Sequence, residues 1–83
     1  MEKKGSSRKV LLYTTPTCTY CRLVKDLLKE EKAEYEEIDV TKDPRYVEDL
    51  LRKSGQLGVP VLDVGGKIIV GFQKEPIKRA LKA

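Results

Sequence analysis

The first half of the chain divides into short apolar runs and amphipathic segments. Arg8 to Thr14 is a short apolar run rich in β-forming residues, which predicts a buried strand that ends at Thr15-Pro16-Thr17. Apolar residues then recur at helical spacing with charges on the opposite face, which predicts a helix from about Thr19 to Lys32. Its predicted apolar positions are Tyr20, Leu23, Val24, Leu27 and Leu28. Glu34 to Val40 follows as a second candidate strand.

A second helix is predicted by its start and stop signals as well as by its pattern. Asp43 is the expected N-cap, Pro44 the expected first helical residue and Gly55 the expected stop. The predicted apolar face between these signals consists of Tyr46, Val47, Leu50 and Leu51.

The last part of the chain predicts a hairpin and a final helix. The apolar run Val59 to Val64 and the returning run Lys67 to Val70 flank Gly65-Gly66, a two-residue hairpin signal. A helix over Lys74 to Lys82 follows, and it tolerates Pro76 because this residue falls in the first turn.

The predicted order is therefore β-α-β-α-β-β-α. A strand–helix–strand opening requires a right-handed crossover between two parallel strands, and the hairpin adds an antiparallel pair. The simplest fold is an α/β domain with a four-stranded mixed sheet and helices on both faces. Residues 8–83 are expected to form this one domain, and Met1 to Ser7 a flexible, polar N-terminal tail.

Composition is typical of one small soluble domain: 83 residues, 40% apolar and 36% charged. No apolar run approaches the length of a membrane span, and the N-terminus lacks the apolar segment of a secretory signal, so we expect a cytoplasmic protein without membrane contact. The net charge is +4, but lysines and arginines alternate with acidic residues. This charge pattern indicates a solvated surface, and no nucleic-acid partner is expected.

The two cysteines of the chain are separated by two residues, in Cys18-Thr19-Tyr20-Cys21, at the start of the first predicted helix. A helix N-terminus lowers the pKa of a thiol because its unpaired N–H groups favour an anion, and the thiolate is the form that attacks disulfides. Cys18 is nearer the exposed end of the helix and is the expected nucleophile, and Cys21 lies one turn further in. Tetrahedral zinc needs four ligands, so two cysteines without a histidine predict no metal.

Three motifs carry a resemblance to a known family over about residues 9 to 82. They are the segment from Tyr13 to Cys21, the segment Gly58-Val59-Pro60-Val61, and Gly71-Phe72 before the last helix. The chain resembles the thioredoxin fold and, within it, the glutaredoxins. The resemblance implies a thiol–disulfide oxidoreductase in which Pro60 is cis and faces the dithiol. The backbone of Val59 would then pair with an extended substrate.

Residues around the dithiol complete the expected site. Those expected to bind substrate are Thr17, Tyr20, Val59, Pro60, Gly71, Phe72 and Gln73. Thr17 is expected to be the helix cap or its neighbour, and Tyr20 either stacks on substrate at the rim or packs on the apolar helix face. Phe72 is expected to pack under the last helix in preference to contacting a partner.

Polar and charged residues near the site have expectations of their own. Gln56 and Gln73 either bind peptide-like ligands or are solvated, and solvation is the favoured interpretation. With no histidine in the chain, Arg22 and Lys25 are the cations available to support a thiolate. A solvated face is the favoured interpretation of Arg22.

Departures from the glutaredoxin pattern leave two alternatives open beside the expected function. Thr19 stands where dithiol glutaredoxins usually have Pro, and Thr15 where they tend to have a Lys that binds a glutathione carboxylate. Gly71-Phe72 resembles the small glutaredoxin-like proteins that donate electrons to ribonucleotide reductase and are recharged by thioredoxin reductase. Glutathione is the expected reductant, and a monomer the expected state. The alternatives are the thioredoxin-reductase-dependent donor and a glutathione-ligated [2Fe–2S] cluster carrier held between two chains.

Overall fold

The structure is a computed structural model that describes residues 9–82, so the predicted tail from Met1 to Ser7 lies outside the described residues. The predicted order of elements is confirmed. The elements are β1 (Val10–Thr14), α1 (Thr19–Glu30), β2 (Glu36–Asp39), α2 (Pro44–Ser54), β3 (Val61–Val64), β4 (Lys67–Val70) and α3 (Lys74–Lys82). Within the described range, none of the helices is long and apolar enough to cross a membrane.

The four strands form one mixed sheet in the order β2-β1-β3-β4. β1 and β2 are parallel, joined by α1, whereas β3 is antiparallel to both of its neighbours, β1 and β4. The carboxyl end of β1 therefore lies beside the start of β3, since Tyr13 is paired with Val61. This register brings two distant segments of the chain to the same edge of the sheet.

Alternating side chains of the sheet enter two separate cores. Leu12 and Leu62 face α1 and α3, whereas Tyr13 and Val61 face α2. The first core consists of Val10, Leu12, Val24, Leu27, Leu28, Leu62, Val64, Ile69, Ile77 and Ala80. The second consists of Tyr13, Val40, Leu50 and Val61. The prediction of helices on both faces is confirmed.

α2 buries less of its surface than its apolar pattern predicted. Leu50 is 1% exposed, but Tyr46 and Leu51 are 37% and 48% exposed, so the predicted apolar face is buried only in part. Leu51 follows Leu50 directly and therefore lies about 100° around the helix, away from the sheet. Tyr46 lies in the first turn, next to the Asp43 cap that was correctly predicted.

A partly buried ion pair connects the end of α2 to the sheet. The Lys53 ammonium lies 2.7 Å from the Asp63 carboxylate and donates a hydrogen bond of 2.8 Å to the Tyr13 hydroxyl. Burial alone lowers the pKa of Lys53, but the hydrogen bonds to Asp63 and Tyr13 outweigh it and raise the pKa. The other carboxylate oxygen of Asp63 accepts the Gly66 N–H of the hairpin. One carboxylate therefore connects α2, β3 and the hairpin.

α1 ends two residues earlier than predicted because Lys32 adopts a left-handed backbone conformation, with φ of 58°. The Ala33 N–H then donates to the Leu28 carbonyl, which closes the end of the helix. Residues other than glycine are strained at such a φ because their Cβ crowds the backbone.

Lys32→Gly should therefore stabilise the protein by about 0.5–1 kcal/mol, measured by urea unfolding. The matched control is Lys29→Gly, in the last turn of α1, where glycine should destabilise by about 1 kcal/mol. A loss of stability in both variants would contradict the assignment of strain to Lys32.

Candidate functional site

The two cysteines lie at the start of α1, beyond the end of β1. Cys18 has an extended backbone and is itself the N-cap of the helix, because its sulfur accepts the Cys21 N–H at 3.1 Å. Thr17 is thus the neighbour of the cap, one of its two predicted positions. Cys18 is half-buried and Cys21 is 1% exposed, and the structure joins them as a disulfide with a Cα–Cα distance of 5.2 Å.

The loop before β3 lies beside Tyr20, which stands between the two cysteines in the chain, because both border one groove. Its Val59–Pro60 peptide bond is cis, the conformation that the resemblance implied. The Pro60 carbonyl accepts the Gly71 N–H at 2.8 Å, and Gly71 has a φ of 82°, which favours glycine. Among residues 9–82, neither the N–H nor the C=O of Val59 has a hydrogen-bond partner. These two groups form a short backbone edge that can pair with an extended chain.

An open groove of about 310 Å³ follows this edge; its walls are Tyr20, Val59, Pro60, Gly71 and Phe72. Tyr20 is 61% exposed and Phe72 is 36% exposed, so both aromatic residues are open to solvent. The groove walls carry no charged side chain. The groove therefore matches an apolar or backbone ligand better than a strongly anionic one.

The structure places the predicted site residues in two groups. Five of the residues predicted to bind substrate line the groove, and Tyr20 is exposed there. Phe72 lies in neither core, although packing under the last helix was expected. Thr17 and Gln73 are not among the groove walls. The side-chain amide of Gln73 donates to the Val70 carbonyl at 2.7 Å, and that of Gln56 to the Gly58 carbonyl at 3.4 Å.

A polar network that connects β1, β2 and α1 was not predicted. The buried Thr14 hydroxyl donates to the Glu37 carboxylate at 2.9 Å, and the Lys25 ammonium lies 3.2 Å from the same carboxylate. Side chains alternate along β1, so Thr14 lies on the same face of the sheet as Leu12, the face covered by α1 and α3. This alternation was the sequence signal that could have indicated a buried Thr14. Lys25 was expected only as a cation near the dithiol, whereas Arg22 is exposed, as expected.

Metal-binding side chains are not clustered at this site. Over residues 9–82, no group of three or more histidine, cysteine, aspartate or glutamate residues is arranged to hold a metal ion.

The family model for glutaredoxin matches residues 10–69 of the chain, which span the dithiol, the cis-proline and most of the hairpin. The chain belongs to the glutaredoxin family. With the adjacent cysteine pair, this membership makes it a thiol–disulfide oxidoreductase. The predicted family, fold and reaction class are confirmed.

Relatives and solved structures agree with this membership. A glutaredoxin-like 8.6 kDa protein in the rubredoxin operon of Clostridium pasteurianum is 36% identical over 73 residues, which cover 88% of this chain and 97% of that protein. The glutaredoxin of Archaeoglobus fulgidus has a TM-score of 0.84 at 29% identity, covering 90% of this chain and 87% of that one. NrdH-redoxin of Escherichia coli, a glutaredoxin-like protein described as having a thioredoxin-like activity profile, has a TM-score of 0.77 at 28% identity, covering 86% and 92%.

Proposed function

We propose that this glutaredoxin-family protein reduces protein disulfides or glutathione mixed disulfides through Cys18 and Cys21, with glutathione as its reductant. The observation that carries the proposal is the position of the Cys18 sulfur. It accepts a backbone N–H at the start of α1, and in the reduced protein the same N–H stabilises the thiolate.

The reaction proceeds through two exchanges of sulfur–sulfur bonds. The Cys18 thiolate attacks one sulfur of the substrate disulfide, a mixed disulfide forms, and the other substrate sulfur leaves as a thiolate that takes a proton from water. Cys21 then loses its proton and attacks the Cys18 sulfur, which releases the second substrate thiol and forms the Cys18–Cys21 disulfide. Two electrons have passed to the substrate, and two glutathione thiols restore the dithiol by becoming glutathione disulfide.

The groove supports docking of an extended chain beside the dithiol. The free N–H and C=O of Val59 offer one donor and one acceptor, which an extended peptide backbone satisfies in the manner of an added strand. Tyr20 and Phe72 provide apolar walls for the flanking side chain. The cysteine of glutathione presents the same backbone pattern, so the edge also supports glutathione as a substrate.

A second candidate function is that of an electron donor to ribonucleotide reductase, itself reduced by thioredoxin reductase. The observation that favours it is the uncharged groove, because the two carboxylates of glutathione find no cationic side chain among its walls. Thr15, which precedes the dithiol, is also uncharged.

One assay separates the two candidates. Turnover of a disulfide substrate is measured with glutathione and glutathione reductase in one arm and with thioredoxin reductase in the other. Turnover in the first arm supports the proposed function, and turnover only in the second supports the second candidate. Failure in both arms would refute disulfide exchange and favour the [2Fe–2S] cluster carrier, which anaerobic purification and visible absorbance would then reveal.

Phe72→Ala should raise the KM for a protein disulfide about fivefold, because it removes one apolar wall and about 1 kcal/mol of contact with the docked chain. Steady-state kinetics with an unfolded disulfide-containing protein measures this change. Leu51→Ala is the matched control, since Leu51 is an exposed apolar residue on α2. Equal effects of the two substitutions would exclude the groove as the docking surface.

A further inference from the structure

We propose that Lys25 and Glu37, held in place by Thr14, are positioning residues that set the reactivity of Cys21 by opposing electrostatic effects. The inference rests on the proposed function and concerns its second step, in which Cys21 attacks the mixed disulfide. The three residues form the Thr14–Glu37–Lys25 network described above.

The network lies on the side of α1 that carries Cys21. Lys25 follows Cys21 by four residues, so the two side chains are neighbours on one helix face, one turn apart. Cys21 and Thr14 are each 1% exposed, and Thr14 lies at the carboxyl end of β1, four residues before Cys18. The ion pair therefore lies one helical turn beyond the buried thiol, on the face of α1 that Cys21 and Lys25 share.

Three contacts fix the Glu37 carboxylate in this place. Lys25 lies 3.4 Å and 3.2 Å from its two oxygens, and the Thr14 hydroxyl donates to the second oxygen at 2.9 Å. A buried hydroxyl with only this partner loses a hydrogen bond if the carboxylate moves, so Thr14 holds Glu37 against the start of α1. The strand and the helix thus place one negative and one positive charge near the same thiol.

The two charges act on Cys21 in opposite directions. Cys21 becomes an anion before it attacks the Cys18 sulfur, and burial disfavours that anion. The Lys25 ammonium favours it and the Glu37 carboxylate disfavours it. With both charges present, their effects on the Cys21 anion largely cancel. When one charge is removed, the effect of the other is no longer opposed.

Stopped-flow reaction of the reduced protein with the chromogenic disulfide 5,5′-dithiobis(2-nitrobenzoate) tests this inference. The first chromophore is released when Cys18 attacks, and the second when Cys21 closes the internal disulfide. At pH 7, Lys25→Met should slow the second phase about threefold and Glu37→Gln should accelerate it about threefold. The double variant should return near the rate of the unaltered protein, and Lys25→Arg should retain it.

Both single substitutions break the same ion pair, so a purely structural role predicts changes of the same sign. A shared sign, or no change in the second phase, would overturn the inference. The matched controls are Asp49→Asn and Arg52→Gln, which break an exposed pair on α2 and should leave both phases unaltered. Loss of the first phase in the unaltered protein would refute the proposed function as well. Far-ultraviolet circular dichroism of each variant confirms that it is folded.

Discussion

Cys18→Ser should lower the turnover of any disulfide substrate by about a thousandfold or more. Loss of a covalent nucleophile removes the whole reaction path, because the hydroxyl of serine does not exchange with disulfides. The structure gives this half-buried cysteine the more exposed position of the two and the N–H contact that stabilises a thiolate, whereas Cys21 is buried. Either electron source used in the assay above measures the loss. Normal turnover in Cys18→Ser would show that the roles of the two cysteines are wrongly assigned.

Cys21→Ser is the matched control, since it changes the same atom three residues away. This variant should form a mixed disulfide with its substrate and hold it, because the thiol that releases the product is absent. Mass spectrometry without reductant should detect the covalent adduct in Cys21→Ser and not in Cys18→Ser. An adduct on Cys21 of the Cys18→Ser variant would reverse the order of attack.

Lys53→Met should destabilise the fold by about 2 kcal/mol, measured by denaturant unfolding at pH 7. The substitution leaves the Asp63 carboxylate buried without its cation and the Tyr13 hydroxyl without its donor. Arg52→Met is the matched control, since Arg52 precedes Lys53 in the same helix and its pair with Asp49 is exposed. It should cost no more than about 0.5 kcal/mol. Equal losses in the two variants would contradict a special role for the Lys53–Asp63 pair.

The contribution of Lys53 also has a defined pH dependence. Its pKa is raised in the folded protein, so the charged form is favoured by folding. The stabilisation is therefore complete below the unfolded pKa of 10.5 and is lost as pH rises through the higher folded value. The difference in unfolding free energy between the unaltered protein and Lys53→Met should be constant from pH 7 to 9 and should shrink above about pH 10.5. A constant difference through pH 11.5 would contradict this linkage.

The fold was predictable because the local signals along the chain agree with one another. Helical periodicity, the Asp43 cap and the Gly65-Gly66 turn each predicted one element, and together they admitted one simple topology. The boundaries were less predictable. β2 extends only over Glu36–Asp39 instead of residues 34–40, and β3 begins at Val61 instead of Val59. Where a strand begins and ends depends on which strand it pairs with, and residue propensities do not contain that information.

The site was predictable where its chemistry depends on local spacing. Two cysteines one turn apart at a helix start require no tertiary information. Tyr20 and Phe72 were ambiguous because an aromatic residue beside a helix fits either a core or a groove. Their surroundings depend on how the start of α1, the loop before β3 and the turn after β4 pack together. The buried bond of Thr14 could not be predicted either, because Glu37 reaches it only through the parallel pairing of β1 and β2.

The atom that caps the start of α1 is the Cys18 sulfur, which is also the reactive atom of the protein. An anionic sulfur is a stronger acceptor than a neutral one, so the Cys21 N–H is held most firmly when two electrons are stored on the pair. It is held more weakly whenever the sulfur is shared with a client. Local order at the helix entrance therefore rises and falls once per catalytic cycle. The exchange rate of the Cys21 amide hydrogen with solvent should therefore report the redox state of the cysteine pair.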